Sequence, residues 1–154
     1  MVLERKGKYK LTDPHSYDFF VSYRHREPDK SWVRKTLVPT LEQKGLRAFI
    51  DYRDFQLGAP LVTEMARAVE ESRFTLAIIT TTYLHSNFTE LENVMAKQLG
   101  LEKSHIRLIG IIRDPDLDFD KVRLDIRSSL MLDMVDDDVF DEMIEKLIGA
   151  IRQR

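Results

Sequence analysis

The chain of 154 residues contains no cysteine. Disulfide scaffolds, cysteine-based zinc sites and thiol nucleophiles are therefore excluded. Six glycines and five prolines are too few for a collagenous or linker-like composition. Neither sign of charge is in excess: 24 basic against 26 acidic side chains leave a net charge of −2. A nucleic-acid binder would show a basic surplus. No apolar run approaches the roughly 18 residues that span a bilayer. The opening stretch MVLERKGKYKLTDPH is basic but lacks the apolar centre of a signal peptide. These absences predict a cytoplasmic protein with no membrane and no nucleic-acid partner. What is present, a hydrophobic fraction of 43%, is enough for one domain with a proper core.

Residues 1–16 read as a polar arm, broken by Asp13-Pro14, and residues 17–154 as the domain. Tyr17 to Tyr23, YDFFVSY, has the aromatic and β-branched density of a strand covered on both faces. A charged loop, RHREPDK, leads to Ser31 as N-cap of a helix carrying Trp32, Val33, Leu37 and Leu41. Pro39 should kink that helix and Gly45 end it. Leu46 to Ile50 is a second strand, followed by an irregular loop, DYRDFQLGAP. Pro60 opens a helix whose buried face is Leu61, Met65, Ala68 and Val69. Phe74 to Thr80 is the third strand. Asn87 and Glu90 have the spacing of a capping box for the next helix, which Gly100 closes. Ile106 to Ile112 and Leu130 to Val135 are strands four and five, with room for a short helix between them. Asp136 to Asp138 start a last helix with Val139, Met143, Ile144, Leu147, Ile148 and Ile151 on one face. Strand and helix alternate five times. That predicts a single three-layer α/β domain of flavodoxin-like type, with a five-stranded parallel sheet in the order 2-1-3-4-5 and helices on both faces.

Ligands in such sheets bind beyond the carboxyl ends of the strands, where strand order reverses. Here that is between strands one and three. The loop after strand one, SYRHRE, has no glycine, so it cannot cradle a phosphate in the manner of GxGxxG or GxxxxGK[ST]. No acidic pair follows strand one and no Asp ends strand three, as a phosphorelay receiver would need. The nucleophile elbow GxSxG and the zinc motif HExxH are missing, and the four histidines are scattered, so no metal site is expected. What remains is Glu92 beside Phe88 on one helix edge, with Arg24, Arg26 and, as a further candidate, His25 near the same mouth. An ionised carboxylate could support a positively charged transition state, and arginines could neutralise a pyrophosphate. Cleavage of a nucleotide's glycosidic bond, through an oxocarbenium-like state, fits both.

YDFFVSYRHRE resembles the first motif of the Toll/interleukin-1 receptor (TIR) domain family, (Y/F)DxFxSYR. GLRAFIDYRDFQLGAP resembles its second, a GxxxFxD strand followed by an RDxxxG loop, here Arg53, Asp54 and Gly58. The Phe-Trp pair of the third motif is missing. Members that are enzymes cleave NAD+ between nicotinamide and ribose, releasing ADP-ribose or a cyclic isomer, with NAD+ as substrate and no other cofactor. They place an aromatic residue four positions before a catalytic Glu, a pattern matched by Phe88 and Glu92, with Ser86 ahead of the helix. The resemblance implies that Glu92 contacts the ribose. The substrate candidates beside it are Phe88, Ser86, Ser22, Tyr23, Arg24, Arg26 and Trp32. It also implies that the loop holding Asp51, Arg53, Asp54, Phe55 and Gly58 gates the site when domains self-associate. The expected role is immune or antiphage defence signalling of the bacterial or plant-like type. The alternative is a non-enzymatic adaptor acting by homotypic TIR–TIR contact alone.

Overall fold

A computed structural model describes residues 15–122, 124–127 and 129–153. The polar arm expected over residues 1–16 lies almost wholly outside them. Strand β1 (Tyr17–Ser22) leads into one helical run, α1, made of Asp29–Ser31, a π-helical segment Trp32–Leu37, and Val38–Gln43. Then come β2 (Ala48–Phe49), α2 (Asp51–Asp54), α3 (Leu61–Glu71), β3 (Ser72–Ile79), α4 (Thr81–His85) and α5 (Asn87–Leu99). Helix α6 (Leu101–Arg107), β4 (Leu108–Ile112), a 3-10 turn (Phe119–Lys121), α7 (Leu124–Arg127) and β5 (Leu130–Asp133) follow. A second 3-10 turn (Asp137–Val139) starts α8 (Phe140–Arg152). The five strands are all parallel and ordered β2-β1-β3-β4-β5, as the alternation of elements predicts.

Alternation along β1 sorts the two layers, because successive side chains point to opposite faces. Phe19, Val21 and Tyr23 join Leu76, Ile78, Ile109 and Ile111 in a core under α1 and α8. Phe20 faces the other way, with Ala77 and Ile79, under α3, α4 and α5. Asp18, almost buried at the start of β1, takes the backbone N–H of Arg47 at 2.7 Å and its guanidinium at 3.0 Å. These bonds fasten the short edge strand β2. Burial pushes the Asp18 carboxyl up, but the hydrogen bonds and charge of Arg47 outweigh it and hold the group below its ordinary value. Its contribution is therefore fully present above the unfolded pKa of 3.8 and is lost as pH falls through the lower native value. Asp18→Asn should lower the unfolding free energy by about 1–2 kcal/mol at neutral pH, since Arg47 is half exposed. The wild-type and variant denaturation curves should converge in acid.

Several local expectations are corrected. The distortion at Pro39 is the π-helical segment ahead of it, where Val38 N–H reaches Val33 O. Widening the turn relieves the clash between the proline ring and the carbonyl four residues back. Ser31 caps nothing; its hydroxyl donates to Glu27. Leu61 is exposed, and Glu64 takes its place on the buried face of α3. Helix α6 fills the residues left between α5 and the fourth strand and takes Ile106 and Arg107 from that strand, which begins at Leu108. The Asn87–Glu90 capping box does not form: Asn87 is already inside α5, whose N-cap residue Ser86 makes no side-chain cap bond. The chain arrives there directly from α4, which leaves no extended residue at Asn87 to act as cap. The capping role is upstream, where Thr80 Oγ1 accepts from Tyr83 N–H.

Candidate active site

At the carboxyl end of β1, bordered by the residues after β2 and by the starts of α3 and α5, lies a cavity of about 150 Å³. Its polar lining is Ser22, Tyr23, His25, Asp51, Asn87 and Glu90. Phe55 lines one side, its ring stacked 6.1 Å from Phe20 and edge-on to Phe49 at 5.9 Å. Each element delivers one part. Strand β1 ends at Ser22 with Tyr23 next to it, and the loop after it carries His25. The stretch expected as an irregular loop after β2 opens with the short helix α2, whose first residue is Asp51, and carries Phe55 just past it. The first turn of α5 carries Asn87 and Glu90.

The groups are fixed by hydrogen bonds. Tyr83, fully buried on α4, donates to Ser22 Oγ at 2.8 Å and ties that helix to β1. Asp51 accepts from Tyr23 Oη at 2.8 Å and meets His25 Nε2 at 2.7 Å, while Arg34 Nε donates to Tyr23 Oη. Burial raises the Asp51 pKa, but the bonds from His25 and Tyr23 prevail and keep it below the usual carboxylate range. Burial pushes the Tyr23 and Tyr83 phenols well up, so both stay protonated donors at neutral pH. From β4's end, Asp114 accepts the N–H and hydroxyl of Thr81 and fixes the start of α4. Those bonds hold its carboxyl low.

The loop after β2 is held at its base and free at its tip. Asp54 accepts Ile50 N–H, Arg67 donates to Asp54 O, and Glu64 accepts Gln56 N–H at 2.6 Å. Arg53 is turned away to Glu42 and Ala48 O. Gly58 sits at φ +85°, where a side chain would be strained. Next to it Leu57 is 98% exposed.

The remaining expected site residues are scattered. Glu92 is half-buried with Phe88 on a separate slot of about 30 Å³, shared with Met95, Leu101 and Ser104. At 100° per residue Glu92 lies about 200° around the helix from Glu90, which is why one faces the mouth and the other does not. Trp32 is on the opposite face of the sheet, with the Arg113 guanidinium 4.2 Å over its ring. Arg24 is paired with buried Asp29 at 3.3 Å. Arg26 is exposed. Ser86 is exposed and donates to Thr82 O. Sequence reasoning missed Glu90 as a mouth residue, and placed His25 near the mouth without its contact to Asp51. The 3.6-residue period of α5 carried the signal for Glu90, which shares an edge with Asn87; nothing in the sequence located His25 against Asp51. Among the described residues no cluster of three or more His, Asp or Glu is arranged to hold a metal ion, and no helix is long and apolar enough to cross a membrane.

Comparison with known proteins agrees with this architecture. The TIR of the Toll-related Receptor TRR-2 from Hydra magnipapillata superposes with a TM-score of 0.70 at 26% identity, covering 89% of this chain and 99% of that one. A metazoan TIR-STING receptor from C. gigas superposes with a TM-score of 0.67 at 20% identity, covering 92% of this chain and 42% of that one, a likeness of fold. In sequence, mouse Toll-like receptor 13 is 39% identical over 83 residues, 52% of this chain. The TMV resistance protein N of Nicotiana glutinosa is 32% identical over 82 residues. The chain spans only 8% and 7% of the lengths of these two relatives. The profile of the TIR domain matches residues 19–148, and over that span the chain belongs to the TIR domain family.

Proposed function

We propose that this domain cleaves NAD+ at the nicotinamide–ribose bond, in the mouth at the carboxyl end of β1, once copies of it have assembled. The observation that carries the reading is the polar cavity at the reversal point of the sheet, with a carboxylate, Glu90, on its wall. A carboxylate there suits an oxocarbenium-like transition state, and the tyrosine, carboxamide and serine beside it suit sugar hydroxyls. Its volume of about 150 Å³ is below the roughly 300–1,000 Å³ of sites that enclose drug-sized ligands. The loop from Asp51 to Pro60 must therefore move, or a neighbouring copy must complete the walls. The test is chromatography of NAD+ products at high protein concentration, beside the same protein diluted. Nicotinamide released only in the concentrated sample supports the proposal; intact NAD+ under every assembling condition overturns it.

Glu92 is kept as a second reading of the acid, because it stands four residues after Phe88 and lines a slot of its own with that ring. Catalysis by Glu92 would place the ribose in that slot rather than in the mouth.

A homotypic docking module without turnover is the other reading, favoured by apolar side chains at the loop tip and at the start of α3 that follows it. Leu57, Leu61 and Val62 are 98%, 57% and 57% exposed on one stretch. Both readings need self-association through this tip. Leu57→Asp should weaken it at least about tenfold by light scattering or sedimentation, because a charge would be desolvated on contact. Folding should be unaffected, since the Leu57 side chain touches little in the monomer. Unchanged association would remove the loop tip from the interface.

A further inference from the structure

We infer that His25 and Asp51 form a general-base dyad that deprotonates the acceptor in the mouth, water or a sugar hydroxyl. The inference rests on the NAD+-cleaving reading and supplies the half of that reaction that Glu90 does not. A carboxylate under the ribose helps nicotinamide to leave, but the attacking oxygen must still lose a proton. His25 lines the same cavity as Glu90 and Asn87. Its Nε2 lies 2.7 Å from Asp51 Oδ2. Asp51 is itself held by Tyr23 Oη at 2.8 Å, and Tyr23 by Arg34 at 2.8 Å. The imidazole packs on the Tyr23 ring, centroids 4.5 Å apart.

Each contact has a consequence. An ionised Asp51 can only accept, so Nε2 must carry the proton. That fixes the tautomer and leaves the Nδ1 lone pair as the acceptor, with no hydrogen bond recorded for it among the described residues. The carboxylate also stabilises the imidazolium that forms when Nδ1 takes a proton. The bonds from His25 and Tyr23 outweigh burial and keep Asp51 ionised, and Arg34 holds Tyr23 in place. Because Asp51 begins the loop after β2, the base is built by the same segment that the assembly reading requires to move. Asp51 is a positioning residue and His25 the group that meets the acceptor.

The step balances without an oxidant or a metal. The C1′–N bond breaks and its electron pair leaves on the nicotinamide nitrogen. The acceptor oxygen forms the new bond to C1′, its proton passes to His25 Nδ1, and from there to bulk water.

The experiment compares two acceptors in assembled protein. Water needs a base, whereas a pyridine such as 3-acetylpyridine attacks through a nitrogen that carries no proton. His25→Gln should lower hydrolysis by about 100-fold or more while base exchange with the added pyridine is retained. Asp51→Asn should show the same split. The nitrogen spectrum of the His25 ring should also change from a fixed Nε2–H tautomer to a mixture in Asp51→Asn, a change a merely structural aspartate would not cause. Equal loss of hydrolysis and exchange, or undiminished hydrolysis, overturns the dyad while leaving the NAD+ reading intact. Wild-type protein that uses neither acceptor overturns both. Near-UV dichroism and sedimentation of the variants separate a chemical loss from a folding or assembly defect.

Discussion

Glu90→Gln is expected to lower NAD+ cleavage by at least about 100-fold in assembled protein, with KM changed far less than kcat. Glutamine keeps the size and the hydrogen-bonding oxygen but loses the charge, and preorganised charge facing a developing cation is the costliest feature of such a site to remove. Glu92→Gln should cost less than about tenfold if the mouth is where the bond breaks. The two substitutions are equally conservative and two residues apart, so the comparison reads which face of α5 meets the ribose. The opposite ranking would mean one of two things. Either substrate enters the slot of Phe88, Met95 and Leu101, or α5 turns through about 160° on assembly. The second would pull Leu91, fully buried, out of the core. Burying a leucine side chain is worth about 1.5–3 kcal/mol, so such a rotation would need a large compensating interface.

The second large effect concerns folding. Tyr83→Ala should destabilise the domain by about 3–5 kcal/mol, the range for deleting a fully buried aromatic ring. For a chain of this size that is about 10 °C or more in Tm. Tyr83 lies under α4, its ring centroid 6.0 Å from that of Phe88 and its hydroxyl on Ser22. The deletion therefore opens a cavity between the short helix and the sheet beneath it. Tyr83→Phe isolates the hydroxyl: about 1 kcal/mol or somewhat more is expected, since Ser22 Oγ is buried and loses a donor. Calorimetry of the two variants tests this. A small effect of Tyr83→Ala would mean that α4 does not pack on the sheet as described. In the Tyr83→Phe protein Ser22 is no longer held, so a change in NAD+ turnover larger than the change in stability would give the pair a part in shaping the mouth.

What could be read from the residues was decided by periodicity and by punctuation. Apolar runs such as Phe74–Ile79 and Ile106–Ile112 read as buried strands, because each is too short for a helix and too apolar for a half-solvated sheet, though the second loses Ile106 and Arg107 to α6. Their alternation with helical patterns dictated a parallel sheet with crossovers. Gly45 ended the first long helix as expected, at φ +93°. The reversal point followed from strand order, so the location of the mouth was legible before any coordinate. Two motifs around YDFFVSYR and the loop after β2 carried the family.

The identity of the groups that meet in the mouth was another matter. Helical phase within α5 turned Glu90 toward the cavity and Glu92 away from it, and that phase depends on which of Phe88, Leu91, Val94 and Met95 the neighbouring helices bury. The same pattern of apolar residues tolerates a wide stripe, so sequence could not choose its edge. Trp32 was near the mouth in the chain but not in space, drawn into the core under Arg113, and Arg24, between two lining residues, is spent on buried Asp29. The His25–Asp51 contact joins residues 26 positions apart; it exists because β1 and β2 pair in parallel and end on the same side. Long-range pairing of this kind is fixed by packing of the whole sheet. Local spacing determined the scaffold and where its mouth opens; only the tertiary structure, by burying one helix face and not another, decided which side chains stand in it.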